Sequence, residues 1–167
     1  QAQISLEKGQ SYDFKAEFVS GHDNPYALVR FSYTPPLGVE GDLLDTAVNL
    51  AKNSDAVVIV AGLSDLYESE GMDRPDMDLP GGQEALIRAV AEVNDNTAVV
   101  VNVGAPVAMH WAEDVDSILL AYYPGQEGGH ALADILFGDV NPSGKLTVSF
   151  PNRLADNPAF IHYPGWK

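Results

Sequence analysis

The chain has 167 residues, of which 24 are acidic and 9 are basic, so its formal net charge is −15, and it contains no cysteine. An acidic surface repels phosphate backbones, which excludes nucleic acid as an expected partner. Without cysteine there is no disulfide framework and no thiolate metal site, and no apolar run approaches the about 20 residues that a membrane helix needs. We therefore expect a soluble globular protein with no membrane partner.

The first 35 residues show the alternation of polar and apolar side chains that is typical of β-strands. Residues 11–19, "SYDFKAEFV", predict one strand, and residues 25–33, "PYALVRFSY", predict a second one after a turn-rich loop. Because an isolated hairpin is only marginally stable in water, these strands require more sheet than the chain supplies. The adjacent prolines of "TPPLGVEGD" then predict a linker.

Beyond this linker the apolar spacing changes to that of helices and fully buried strands. Helices are expected within 42–55, 81–94 and 125–138, with Asp42 as the first N-cap and Gly138 ending the third helix. Buried strands are expected within 55–62, 96–104 and 117–123, and a short further strand at 145–150. Helices that alternate with strands predict an α/β fold, a mainly parallel sheet with helices on both faces. The prolines of residues 151–167 predict an extended loop.

The acidic loop 67–76, "YESEGMDRPD", directly follows the first of these buried strands. Functional loops gather at the carboxyl ends of parallel strands, so its position makes this loop a candidate site. In an extended segment Glu68 and Glu70 share a face, where repulsion between like charges favours protonation of one of them and allows general acid chemistry. The pattern alone favours another interpretation, in which these are solvated acids and Asp73 and Arg74 form local ion pairs.

Metal and nucleotide sites are poorly supported by the sequence. Asp73, Asp76 and Asp78 offer oxygens for calcium, but their spacing does not match a calcium loop. The four histidines lack the paired spacing of a helical zinc site, and each is interpreted as a packing or surface residue: His22, His110, His130 and His162. The chain also lacks a glycine-rich nucleotide fingerprint and a nucleophilic serine elbow. We therefore expect no metal and no cofactor.

Three long motifs occur in order, "ESEGMDRPDMDLPGGQEALI", "VVVNVGAPVAMHW" and "AYYPGQEGGHALADILFGDVNPSGKLTVSFP". Together they resemble the C-terminal α/β-sandwich domain of glycoside hydrolase family 3, the β-glucosidase family. The resemblance implies three parts: residues 1–36 as the last strands of a protective-antigen-type β-sandwich insert, 37–150 as the α/β-sandwich domain, and 151–167 as a loop leading to a following domain. The start at Gln1, without Met, agrees with a piece of a longer protein.

The same resemblance implies a retaining β-glucosidase that acts on a β-glucoside or oligosaccharide. Glu70 matches the acid/base residue, because it immediately precedes the Gly-x-Asp-Arg run, and Glu68 is the alternative, because the loop varies in length within the family. Asp73 and Arg74 are expected to orient the loop. The nucleophilic aspartate of the family lies on a (β/α)8 barrel that this chain lacks, so the isolated chain is expected to be inactive. The compartment stays open, with an extracellular or periplasmic location favoured.

A different function class is a carbohydrate-binding module that holds glycan without cleaving it. Aromatic side chains supply the stacking faces for such binding, and the candidates are Tyr67, Trp111, Tyr122, Tyr123 and Trp166. Core packing is the competing expectation for most of them, since aromatic residues are buried on average.

Overall fold

A computed structural model describes residues 7, 9–13, 15, 17, 43–162 and 165. The chain divides into two compact units, Gln1–Gly38 and Val39–Lys167. In the first unit, the backbone N–H of Glu7 donates to the Tyr12 hydroxyl at 2.9 Å. The described residues within the first predicted strand, 11–19, lie in no strand, and the second predicted strand, 25–33, falls outside the described residues.

The second unit is an α/β domain, as the sequence predicts. Its helices are α1 (Leu43–Lys52), α2 (Gln83–Ala91) and α3 (Gly128–Leu136), and its strands are β1 (Val57–Gly62), β2 (Thr97–Asn102) and β3 (Ser117–Leu120). Short 3-10 helices lie between β2 and β3, at Ala112–Asp114, and after α3, at Leu154–Asp156 and Phe160–His162. The strands form a parallel sheet in the order β1-β2-β3. Their carboxyl ends therefore meet at one edge of the sheet.

The core lies between this sheet and α2. Alternate residues of a strand point to one face of a sheet, which brings Ile59, Val99 and Val101 into one buried cluster. On α2, Ile87 and Val90 occupy one side of the helix and are almost fully buried in the same cluster. The helical spacing and the continuous apolar run of β2 had predicted this burial.

The ends of two elements follow from single residues. Helix α3 ends at Leu136, and Gly138 closes it two residues later: its φ of +85° and its N–H bond to the Ile135 carbonyl are typical of a terminating glycine, so this prediction is confirmed. Strand β3 is followed by Tyr122, a non-glycine residue with a φ of +53°. The N-cap predicted at Asp42 falls outside the described residues.

The fourth strand predicted at 145–150 is wrong, because these residues are described and none of them lies in a strand. The segment is linked to the end of β3 through side chains instead of a backbone ladder, since the Thr147 and Tyr122 hydroxyls lie 3.3 Å apart. None of the helices in the described part of the chain combines the length and apolarity of a membrane span.

Gln83 fixes the start of α2 to the end of β1. Its side-chain oxygen accepts from the Gly62 N–H at 2.7 Å, and its side-chain nitrogen donates to the Gly62 carbonyl at 3.0 Å. The amide thus supplies both hydrogen bonds that a neighbouring strand residue would make. The loop between these two residues, 63–82, is consequently held at both ends.

Substituting Gly62 with alanine tests this close packing. A Cβ atom at Gly62 would lie 2.1 Å from the Asn102 carbonyl oxygen, a backbone atom of the adjacent strand that cannot move aside cheaply. We expect Gly62→Ala to lower the free energy of unfolding by about 1–3 kcal/mol, as overpacking does. The measurement is the urea midpoint of unfolding.

The matched control is Gly129→Ala, in the first turn of α3, where an added Cβ meets no heavy atom within 4 Å. Alanine has the higher helix propensity, so this variant should be neutral or more stable by up to about 1 kcal/mol. Equal destabilisation by the two alanines would contradict the packing argument at Gly62.

Candidate functional site

Three loops leave the sheet at the carboxyl ends of its strands: 63–82 after β1, 103–111 after β2 and 121–127 after β3. Each loop contributes one residue to a hydrogen-bonded group. The Glu68 carboxylate oxygen Oε2 accepts from the backbone N–H of Gly104 at 2.9 Å and from the Tyr123 hydroxyl at 2.5 Å. We call these three residues, Glu68, Gly104 and Tyr123, the Glu68 anchor.

The absence of a side chain at Gly104 allows Glu68 and Tyr123 to approach the backbone this closely. A Cβ atom there would lie 2.8 Å from Cε2 of Tyr123 and 3.1 Å from Oε1 of Glu68. The first distance is shorter than any ordinary carbon contact, so a larger residue would displace the tyrosine ring. The three residues of the anchor are therefore in close contact.

The Tyr123 hydroxyl is held in its protonated, donating form. Partial desolvation, the hydrogen bond to Glu68 and the negative charge of that carboxylate raise the pKa of Tyr123 above its ordinary value of 10. The Gly104 N–H and the Arg74 guanidinium act in the opposite direction and offset part of this effect on the pKa. The hydroxyl consequently remains a donor to Glu68 throughout the neutral pH range.

Glu70 has a different environment from Glu68. Glu68 is half-buried, whereas Glu70 is exposed, and its carboxylate makes no hydrogen bond or ion pair with any residue described. The N–H groups of Tyr67 and Glu68 both donate to the Ser64 carbonyl at 2.9 Å. The chain then bends at Glu68 and turns at Glu70, so the two glutamates do not lie in an extended segment. The turn at Gly71, with a φ of +78°, follows immediately. Among the described residues, the loop thus binds the Glu68 carboxylate and leaves that of Glu70 without a partner.

Arg74 links the same loop to the loop after β2. Its Nη2 donates to the Pro106 carbonyl at 2.6 Å, and its half-buried side chain has a second nitrogen, Nη1, that lacks a partner among the described residues. Asp73 is exposed and pairs with none of the described residues. A local Asp73–Arg74 ion pair is therefore not found in this part of the chain.

Asp78, Glu84 and His110 form a group that the sequence analysis missed. One ligand atom of each lies within 4.8 Å of those of the other two, so the set can hold a metal ion. The His110 Nε2 and Glu84 Oε2 atoms are 2.6 Å apart and already satisfy each other. These residues come from three separate segments, and their sequence spacing carries no signal. Asp76, one of the three aspartates whose spacing does not match a calcium loop, accepts a hydrogen bond from the Asp78 N–H at 3.1 Å.

The aromatic residues divide into buried and accessible ones. Trp111 has 0% exposure and belongs to the hydrophobic core, so the expectation of core packing is confirmed for this residue and it offers no stacking face. Tyr67 and Tyr123 are about half exposed, Tyr122 is half-buried, and Trp166 falls outside the described residues. The sequence suggests stacking or core packing for Tyr123 and carries no signal for its contact with Glu68.

Known proteins resemble this chain in both sequence and structure. The chain matches the family described as the glycosyl hydrolase family 3 C-terminal domain over residues 4–165. It is 51% identical over 128 residues to the thermostable beta-glucosidase B of Acetivibrio thermocellus, a match that covers 77% of this chain. The chain spans only 17% of the length of that relative.

Solved structures agree with this comparison. The beta-glucosidase from Kluyveromyces marxianus in complex with glucose matches with a TM-score of 0.69 at 45% identity, covering 72% of this chain and 14% of that chain. The GH3 beta-glucosidase of Bifidobacterium adolescentis matches with a TM-score of 0.68 at 42% identity, covering 79% and 20%. The chain therefore belongs to the glycosyl hydrolase family 3 C-terminal domain family.

Proposed function

We propose that this chain is the part of a retaining β-glucosidase that supplies the acid/base carboxylate, and that this carboxylate is Glu70. The observation that carries the proposal is the contrast within one loop at the carboxyl edge of the sheet. Glu68 accepts two hydrogen bonds there, while Glu70 is exposed and unpaired among the described residues. An acid/base residue needs free oxygens to exchange a proton with substrate and water.

The reaction uses two carboxyl groups. An aspartate on a barrel domain, elsewhere in the protein or in a second chain, attacks the anomeric carbon while the protonated Glu70 gives its proton to the departing glycosidic oxygen. Glu70, now a carboxylate, then takes a proton from water as that water attacks the anomeric carbon and releases the aspartate. Retaining enzymes hold their two carboxyls about 5 Å apart, so Glu70 must project from its own domain over the sugar.

The relatives support the substrate class. The relative from Acetivibrio thermocellus is named a beta-glucosidase, and the matched structure from Kluyveromyces marxianus is a complex with glucose. A terminal β-glucoside or an oligosaccharide is accordingly the proposed substrate. The proposed reaction needs no cofactor.

Arg74 and Asp73 are proposed to orient the loop that carries Glu70. For Arg74 the support is its hydrogen bond to the Pro106 carbonyl, which ties the chain four residues after Glu70 to the neighbouring loop. For Asp73 the support is the Gly-x-Asp-Arg motif alone. Neither residue is assigned a proton-transfer role.

Assays on an aryl β-glucoside test this proposal. The isolated 167-residue chain should show no turnover, because one carboxyl without its partner cannot run the two-step reaction. The full-length enzyme that contains this chain should release glucose with retained configuration. Turnover by the isolated chain that is abolished by Glu70→Gln would contradict the need for a barrel aspartate, and a full-length enzyme that cleaves no β-glucoside would contradict the function.

A further inference from the structure

We propose that Glu68 and Tyr123 are positioning residues: the Tyr123 hydroxyl and the Gly104 N–H hold the Glu68 carboxylate and thereby fix the turn from which Glu70 projects. This inference rests on the proposed role of Glu70 as the acid/base residue. It assigns different tasks to the two neighbouring glutamates. Glu68 acts on the reaction through Glu70, without contact with the substrate.

The geometry of the anchor supports this division of tasks. Both donors reach the same oxygen, Oε2 of Glu68, at 2.9 and 2.5 Å. Hydrogen bonds to an ionised carboxylate are shorter and stronger than neutral ones, so the pair forms a firm attachment. An oxygen that already accepts two such bonds is not free to deliver a proton to a leaving group.

The attachment points are themselves fixed by the sheet. Gly104 donates from the backbone just beyond β2, and Tyr123 lies just beyond β3. The loop after β1 is thus tied to the ends of both other strands of the described sheet. Glu70 is two residues further along, so its Cα lies within about 7 Å of that of Glu68.

The glycine at 104 gives independent support. The ring of Tyr123 and the carboxylate of Glu68 both lie within 3.1 Å of the position that a Cβ atom would take there. Glycine at position 104 therefore leaves room for the contact between Tyr123 and Glu68, and any side chain at this position would disturb it. Desolvation and the charge of Glu68 also raise the pKa of Tyr123, which keeps the hydroxyl a donor.

The test uses the full-length enzyme and an alkyl β-glucoside, whose leaving group needs a proton. Tyr123→Phe removes one hydroxyl, and we expect kcat to fall about ten-fold with KM little changed, because a displaced acid weakens only the transition state. Glu68→Gln should give a similar loss. Tyr12→Phe is the control, since the Tyr12 hydroxyl accepts from the Glu7 N–H in the first unit of the chain, and it should leave kcat unchanged.

A double-mutant cycle separates positioning from a merely structural role. In a Glu70→Gln background, Tyr123→Phe should cause no further loss, because there is no longer an acid to position. Multiplied losses in the double variant would overturn the inference. So would normal kcat values for both Tyr123→Phe and Glu68→Gln, or a loss in Glu68→Gln that exceeds the loss in Glu70→Gln.

The two proposals fail in different ways. If Glu70→Gln alone keeps full activity on the alkyl glucoside, the acid/base assignment is wrong, whatever the anchor variants do. If Glu70→Gln loses activity while the anchor variants keep theirs, only the positioning inference is wrong. The thermal midpoint of each variant, compared with that of Tyr12→Phe, shows whether a loss of kcat reflects unfolding.

Discussion

Replacing Glu70 with glutamine in the full-length enzyme is expected to lower kcat/KM for an alkyl β-glucoside by about 10²–10⁴-fold, the range attributed to general acid–base catalysis. This corresponds to about 3–5 kcal/mol of lost transition-state stabilisation. The amide keeps the size of the side chain and cannot supply the proton that a poor leaving group needs. For a dinitrophenyl β-glucoside, which departs as a stable anion, the first step should be affected far less.

The contrast between the two substrates is the informative quantity. It is measured by comparing steady-state kcat/KM for both substrates in wild type and in the Glu70→Gln variant. Equal losses on both substrates would contradict the assignment and would move the acid role to Glu68 or elsewhere. Glu68→Gln serves as the companion variant, since it changes the same chemical group two positions earlier.

Replacing Trp111 with alanine should cause the largest loss of stability. Trp111 has 0% exposure and packs in the cluster that contains Val103 and Val107. Truncating a buried aromatic side chain costs about 3–5 kcal/mol, because apolar contacts are lost and a cavity stays behind. The measurement is urea unfolding of the domain, followed by far-ultraviolet circular dichroism.

The control for this prediction is Phe137→Ala, which removes an aromatic side chain that is 85% exposed. Substitutions on the surface usually change the free energy of unfolding by no more than about 0.5 kcal/mol. If the two alanine variants unfolded at the same urea concentration, Trp111 would not be the core residue that the structure describes.

The α/β fold was predictable because its signals are local. Residues 98–101 form a continuous apolar run, and the structure buries the strand that contains them on both faces. The fourth strand, predicted at 145–150, failed because a strand also needs a neighbour to pair with. The apolar alternation of "KLTVSF" says nothing about whether such a neighbour exists.

The candidate site was predictable only in part, for the same reason. The loop with Glu68 and Glu70 could be located because it follows a buried strand and carries a recognisable motif. Its partner Tyr123 is 55 residues away, and no periodicity connects the two. They meet because the parallel register places the carboxyl ends of β1 and β3, on either side of β2, at the same edge of the sheet. No sequence pattern connects Asp78, Glu84 and His110 either, so this group was missed for the same reason.

Azide rescue of alanine variants of the full-length enzyme tests the central claim most directly. With a dinitrophenyl β-glucoside the covalent intermediate still forms, and azide attacks its anomeric carbon, displaces the aspartate and needs no general base. Azide should therefore accelerate Glu70→Ala and yield β-glucosyl azide with retained configuration, while Glu68→Ala shows neither effect. Acceleration and azide product in Glu68→Ala, with neither in Glu70→Ala, would contradict the account.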